Sequence, residues 1–340
     1  MKRISVAVLG ATGLVGHKFI ELLADHPLFS VAELVASERS KGKRFGDVSN
    51  GIMSEIRGDA NEIRVKGIDD KIESDVVFSA LPSDMAKEAE WKLAEEGKLV
   101  ISKASANRMD KRVPLMIPEI NAEHLALLDA QRRYVKGGLV CDPNCTTIIL
   151  SLSLKPLVDK FGVKKVVATS MQALSGAGHP GVASVEALGN VIPYIHDEEE
   201  KLRDEPKKIF GTVKNGAIKS SDISIFGSCN RVPVLNGHTI SVYIEFERSV
   251  ELGDVKESMK RFPGLKGLHS APENPILVRD ESNRPQPRLD TNGMSVTVGR
   301  LRYGPDRKSI AYSVVGDNLV RGAAGAGILD AELARSRGYI

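Results

Sequence analysis

The stretch Cys141-Asp142-Pro143-Asn144-Cys145-Thr146-Thr147 decides how this chain is read. It follows Gly138-Leu139-Val140, a short buried strand by its apolar character, and leads into Ile148-Ile149-Leu150-Ser151-Leu152. The spacing after it predicts a helix to about Val158. Pro143 stops the strand, and Asn144 suits the N-cap of the helix. Cys145 then falls in the first helical turn, where unpaired N–H groups and the helix dipole favour a thiolate. A thiol at a strand-to-helix turn is a candidate nucleophile for acyl chemistry. The competing reading is a buried, inert cysteine.

Before this turn the chain alternates strand and helix. Ile4 to Leu9 reads as a strand, followed by the turn Gly10-Ala11-Thr12-Gly13-Leu14-Val15-Gly16. The helix after it should bury Val15, Phe19, Leu22 and Leu23 and end before Pro27, with a second strand near Ser30 to Ala36. Such glycines let the backbone approach a pyrophosphate whose charge sits at a helix N-terminus. The spacing departs from G-x-G-x-x-G by one residue, and an ordinary tight turn is the alternative. After the second strand comes Ser37-Glu38-Arg39-Ser40-Lys41-Gly42-Lys43-Arg44. One acid among several cations and hydroxyls favours a ribose 2′-phosphate, hence NADP over NAD. Asp75 to Ser83 is another strand and small-residue turn, followed by a helix from Asp84 to about Glu96 and a strand from Lys98 to Ser102. Ser79, Leu81 and Ser83 are therefore expected to line the cofactor crevice.

Beyond Leu152 the texture changes. Long alternating segments at Val163–Gln172, Thr239–Phe246 and Ser295–Leu301 suit a second domain on a mostly antiparallel sheet. Asp197 to Lys208 carries dense charge of both signs and reads as a solvated helix. The Gly- and Ala-rich segment from Asn318 to about Arg335 is expected to return to the first domain. The fold class is thus α/β: a Rossmann-like NADP-binding domain (1–144 and 317–340) plus an α+β catalytic and dimerisation domain (145–316). Two domains suit 340 residues.

A net charge of +3 argues against a dedicated nucleic-acid binder, and no eighteen-residue apolar window points to a membrane. Three cysteines cannot build a disulfide framework, which suits a reducing cytoplasm, and no Cys/His cluster completes a metal site.

The ordered set of Gly10–Gly16, Ser105-Ala106-Asn107-Arg108-Met109, Pro143–Thr147, Gln172-Ala173-Leu174-Ser175-Gly176-Ala177-Gly178 and Arg231 seven residues before His238 resembles the aspartate-semialdehyde dehydrogenase family. The likeness runs from Val6 to Ala323. It is closest to the archaeal and fungal branch, which shares Val113-Pro114-Leu115, Ile117-Pro118-Glu119 and Asn236-Gly237-His238-Thr239. The resemblance implies NADP-dependent reduction of L-aspartyl-4-phosphate to L-aspartate 4-semialdehyde and phosphate, on the route to lysine, threonine, methionine and isoleucine. It implies Cys145 as the nucleophile of an acyl-thioester, with Asn144 beside it, His238 as acid/base and Gln172 orienting the substrate. Arg231 aligns with the carboxylate anchor, Arg108 and Lys208 with phosphate ligands, and Glu205 with the residue that meets the amino group. Glu205-Pro206-Lys207-Lys208 keeps only the Glu and Lys spacing of the bacterial form. Cofactor contacts are expected from Gly10, Thr12, Gly13, Leu14, Val15, Ser37, Arg39, Ser40, Ser79, Leu81, Ser175 and Gly176, with Asn318 at the nicotinamide. The family's usual state is a homodimer or homotetramer formed through the second domain.

Elementary chemistry is consistent with this. An acyl phosphate needs only a thiolate and a phosphate-binding cation for the first step. The thioester oxyanion needs a donor such as the Cys145 N–H. Expulsion of the thiolate is helped by a proton acceptor, a task for His238, although His179 beside Gly178 and Pro180 competes for that place. Three other functions remain open: an acyl-CoA reductase of the same fold, such as a malonyl-CoA reductase; N-acetyl-glutamyl-phosphate reductase; and a non-catalytic NADP-binding sensor or scaffold.

Overall fold

The computed structural model describes residues 3–49, 56 and 58–340. Five strands, β1 (Ile4–Leu9), β2 (Phe29–Val35), β3 (Val76–Ser79), β4 (Leu99–Ser102) and β5 (Gly138–Cys141), form a wholly parallel sheet in the order β2-β1-β3-β4-β5. Alternate residues of β1 feed two separate cores. Val6 and Val8 pack with Phe19 and Ile328 on one face, while Ala7 and Leu9 join Leu93 and Ile148 on the other. A sheet covered on both faces needs continuous apolar strands, which is how these segments read. The helix Leu14–Leu23 buries Phe19, Ile20 and Leu23 but leaves Val15 and Leu22 half-buried. Its apolar face is therefore turned by about one residue from the expected one.

The second sheet contains β6 (Val163–Gln172), β9 (Ile225–Arg231), β10 (His238–Phe246), β11 (Ile276–Val278), β12 (Val296–Tyr303) and β13 (Ser309–Gly316); β7 (Thr212–Lys214) and β8 (Ala217–Lys219) make a separate hairpin. Its order is β11-β12-β13-β10-β6-β9. The central pairings are antiparallel, as expected, but each edge pair, β6 with β9 and β11 with β12, is parallel. Long connections allow this, because the chain between β6 and β9 includes a helix that can carry it back. That helix, Glu198–Ile209, buries Glu198, Leu202, Glu205, Pro206, Lys208 and Ile209. The solvated helix read from its charge is in fact amphipathic, with two carboxylates on the inner face.

The helix Cys145–Phe161 joins the two sheets and is buried along most of its length. The chain then returns to the parallel sheet, where Ile328 packs with Val6 and Val8. A π-helical turn at Val320–Ala324 precedes the helix Gly325–Ser336, and Gly327 lies so close to Phe19 that a Cβ there would stand 2.9 Å from the ring. No helix among the described residues is long and apolar enough to cross a membrane.

The π turn is fixed by one buried ion pair. Arg321 gives two parallel hydrogen bonds to Glu119, at 2.7 and 2.8 Å, and both side chains are fully shielded. Removing one partner would strand the other charge in the interior. Arg321→Met should therefore lower stability by about 3–5 kcal/mol in urea unfolding, and Arg321→Met with Glu119→Leu should recover much of that loss.

Candidate active site

Asn144 caps the helix as its sequence position predicts. Its Oδ1 accepts from the Thr146 and Thr147 N–H groups at 3.0 and 3.2 Å. Cys145 is the first helical residue, and among the described residues its own N–H meets no acceptor. That leaves a donor beside the sulfur, of the kind a developing oxyanion needs.

His238 opens β10 and is fully buried, with Nε2 3.2 Å from the Cys145 sulfur. Its Nδ1 accepts the Ala173 N–H at 3.1 Å. This assigns the tautomer: the neutral ring carries its proton on Nε2 and presents it to the sulfur. The expected proton acceptor is thus arranged as a donor, one that stabilises a departing thiolate. Burial and the nearby Arg231 push its pKa down to about 3, so the ring stays neutral. Burial pushes the Cys145 thiol up to about 11; Glu198 adds to the rise, and Arg108, Lys103 and Arg231 oppose it. The lowered thiol pKa expected at a helix N-terminus is not realised, because desolvation outweighs the nearby cations. His179 lies exposed in its loop.

Gln172 ends β6 and is buried, its Nε2 donating to Glu198 at 3.0 Å. Glu198 also accepts from Asn144 Nδ2 at 2.8 and 3.0 Å. A carboxylate bonded to two neighbours of the nucleophile was not singled out from sequence. The available signal was helical spacing, since Glu198, Leu202, Glu205 and Ile209 share one face. Glu205 is otherwise engaged, accepting from Arg108 Nη1 at 2.9 Å and from the Asn144 N–H at 2.7 Å. Lys208 Nζ donates to the carbonyls of Arg108 and Asp110 at 2.5 and 2.7 Å. Both residues frame the Arg108 loop.

Arg231 closes β9, and Nη1 donates to the Ala173 carbonyl at 2.8 Å. Its Nε and Nη2 have no hydrogen-bond partner among the described residues. Gly176 keeps the space over this pair open, because a Cβ there would stand 2.8 Å from Arg231 Nη1 and 2.9 Å from His238 Cε1. Gly322 does the same opposite, where a Cβ would stand 2.5 Å from that of Cys145.

The glycine turn fits a dinucleotide. Gly10 has φ +72°, and a Cβ there would strike the Ala80 carbonyl; one on Gly16 would strike the Gly10 carbonyl. The helix Leu14–Leu23 starts at Gly13 with no side-chain cap and no acid in its first turn, so its N–H groups are free for phosphate. Thr12, Leu14 and Val15 are half-buried at this turn. Ser37 and Arg39 are exposed, Ser40 is half-buried, and Arg39 has no ion-pair or hydrogen-bond partner among the described residues. Glu38 lies beside Lys41 and Gly67. Ser79 departs from expectation: it is fully buried, and its hydroxyl donates to Glu90 at 2.8 Å, beneath the crevice. Leu81 is nearly buried at the strand end. Asn318 is also occupied, accepting from the Gly237 N–H at 2.9 Å and donating to Ser175 Oγ at 2.8 Å. It fixes the Ser175–Gly176 loop and the residue before His238. Among the described residues no group of three or more His, Cys, Asp or Glu could hold a metal.

Two family descriptions match the chain: "Semialdehyde dehydrogenase, NAD binding domain" over residues 5–128 and "Semialdehyde dehydrogenase, dimerisation domain" over residues 154–321. Aspartate-semialdehyde dehydrogenases of Archaeoglobus fulgidus and Methanothermobacter thermautotrophicus are 52% and 47% identical, each match covering 97% of this chain and 98% of the relative. The crystal structure of the Candida albicans enzyme with NADP superposes with a TM-score of 0.91 at 36% identity, covering 99% of this chain and 100% of that one. The chain belongs to the semialdehyde dehydrogenase family.

Proposed function

We propose that this protein is an NADP-dependent aspartate-semialdehyde dehydrogenase, which reduces L-aspartyl-4-phosphate to L-aspartate 4-semialdehyde and phosphate through a thioester on Cys145. The observation that carries the reading is the Cys145 sulfur, 3.2 Å from His238 Nε2 and walled by Arg231, Glu198 and the Arg108 loop. Its relatives are named for this activity. Residues 1–144 with 317–340 act as the cofactor domain, and 145–316 as the catalytic and dimerisation domain.

The substrate carries a carboxylate, an ammonium and a phosphate. Arg231, with Nε and Nη2 unoccupied, takes the carboxylate as a planar fork. Arg108 takes the phosphate. We assign the ammonium to Glu198, because its charge acts directly on the Cys145 thiol and it bonds Asn144 and Gln172 beside the sulfur, with Lys201 pairing with it at 3.3 Å. Gln172, tied to Glu198, holds the substrate beside the sulfur. The Cys145 sulfur attacks the acyl carbon as the carbon–oxygen bond to phosphate breaks, and the thiol proton leaves on the departing phosphate. The Gly10–Gly16 turn and Arg39 would hold NADP, which in its reduced form would supply the hydride. The Cys145 N–H receives the oxyanion, and His238 Nε2–H steadies the sulfur as the carbon–sulfur bond breaks.

The working unit is a homodimer. Val185, Leu188, Val191, Tyr194 and Phe226 are exposed apolar residues within the segment matched as a dimerisation domain, and a second copy would cover them. The three cysteines are unpaired, which supports a cytoplasmic setting.

Cys145→Ser should lower kcat at least about a thousandfold, a barrier increase of about 4 kcal/mol, with fold and NADP binding intact. Below a thiol pKa of about 11 the thiolate fraction rises with pH. Iodoacetamide should therefore alkylate Cys145 roughly tenfold faster per pH unit from neutrality to pH 9, and a plateau near pH 7 would contradict the raised thiol pKa.

Glu198→Gln should reduce kcat/KM for aspartate semialdehyde by about 10- to 100-fold, yet barely alter turnover of succinate semialdehyde, which lacks the amino group. Equal losses on both aldehydes would move the ammonium site elsewhere. In phosphate-dependent oxidation of aspartate semialdehyde NADP should be preferred to NAD, and Arg39→Ala should remove about 10- to 100-fold of that preference. Efficient turnover of malonyl-CoA would instead favour an acyl-CoA reductase.

A further inference from the structure

Glu90 is a fully buried carboxylate on the inner face of the helix Ser83–Glu95, in a row with Ala86, Leu93 and Ala94. An apolar residue would suit that place, and burying a carboxylate is costly unless its lone pairs are answered. Here they are. Ser79 and Ser102 end β3 and β4 and lie directly opposite in register. Both hydroxyls donate to Glu90 Oε1, at 2.8 and 2.6 Å. The other oxygen, Oε2, accepts from Asn107 Nδ2 at 3.0 Å.

Asn107 directly precedes Arg108. On its far side the same loop is gripped by the helix Glu198–Ile209: Glu205 holds the guanidinium, and Lys208 holds the Arg108 carbonyl. Arg108 Nη2 also donates back to the Lys103 carbonyl at 2.7 Å. The guanidinium is therefore set between two anchors, one on each domain. Glu90, on the helix tied to the ends of β3 and β4, is the first-domain anchor, reaching the loop through Asn107.

We propose that Glu90 is a positioning residue, which through Asn107 sets where Arg108 meets the substrate phosphate. The inference rests on the reading of Arg108 as the phosphate ligand. Two serines consume one carboxylate oxygen and orient the other, so Glu90 points at the loop in a fixed direction. The charged group facing it is Arg108, and Cys141 on β5 is its other titratable neighbour. Misplacing a substrate-binding arm by about 1 Å is enough to cost roughly a hundredfold in rate. A lost anchor should therefore register at phosphate and leave the carboxylate end of the substrate alone.

The test uses the full-length protein in the direction of semialdehyde oxidation, with inorganic phosphate and aldehyde varied separately. Glu90→Ala and Asn107→Ala should each raise the phosphate KM by about ten- to a hundredfold, with the aldehyde KM within about threefold of wild type. The double variant should be no worse than the poorer single one, because both act through one bond. Glu90→Gln, which an inverted Asn107 amide can still meet, should restore the phosphate KM to within about threefold. Arg108→Ala is the reference. If it raises the phosphate KM while the Glu90 and Asn107 variants shift both KM values together, or only lower the melting temperature, the positioning role is overturned. If Arg108→Ala leaves the phosphate KM unchanged, the phosphate-site reading fails and this inference with it. Asn107→Ala, which removes no buried charge, keeps the test decisive should Glu90→Ala fail to fold.

Discussion

Asn144 is the residue on which the rest of the site depends, because each of its polar groups is used in a different direction. Its Oδ1 caps the helix that carries the thiol, its Nδ2 holds Glu198, and its backbone N–H is held by Glu205. The cap leaves the Cys145 N–H as the free donor of the first turn. The two carboxylates hold the Glu198–Ile209 helix of the second domain against the turn that ends β5. One residue thus sets the sulfur, the free Cys145 N–H and Glu198 relative to one another.

The electrostatics around the sulfur are balanced against burial. Arg108, Lys103 and Arg231 favour the thiolate, while desolvation and Glu198 disfavour it, and burial wins. A cysteine kept largely protonated is protected from stray oxidants and electrophiles, since the thiolate is the reactive form. Arg231 keeps Nε and Nη2 unpaired and Arg108 its Nε among the described residues, so cationic donors remain at the site. His238 is neutral by the same logic: Arg231 and burial exclude a second positive charge, and the Ala173 N–H fixes which nitrogen faces the sulfur.

Local signals were legible in the sequence, and contacts set by tertiary packing were not. Pro143, Asn144 and Cys145 form a strand end, a cap and a first turn because those roles depend on neighbouring residues. The alternating strand of His238 and the glycine turn are of the same kind. Glu198 could not be told from Glu199 and Glu200 by composition; only the inward face of the helix separates them. Glu205 and Lys208 share that face one or two turns further on, where they frame Arg108. Ser79 reads as a crevice residue from its strand end, yet Glu90, eleven residues later on a helix, draws its hydroxyl inward. The parallel edges of the second sheet depended on crossovers whose hand and length no local pattern records.

The central claim is that Cys145 carries the acyl group. The most direct measurement is intact-mass and peptide analysis of the enzyme quenched in acid after mixing with aspartyl phosphate in the absence of any nicotinamide cofactor. An aspartyl adduct, labile to hydroxylamine and confined to the peptide containing Cys145, should form with stoichiometric release of phosphate. Phosphate release with no adduct, or an adduct on Cys141 or Cys229, would contradict that claim.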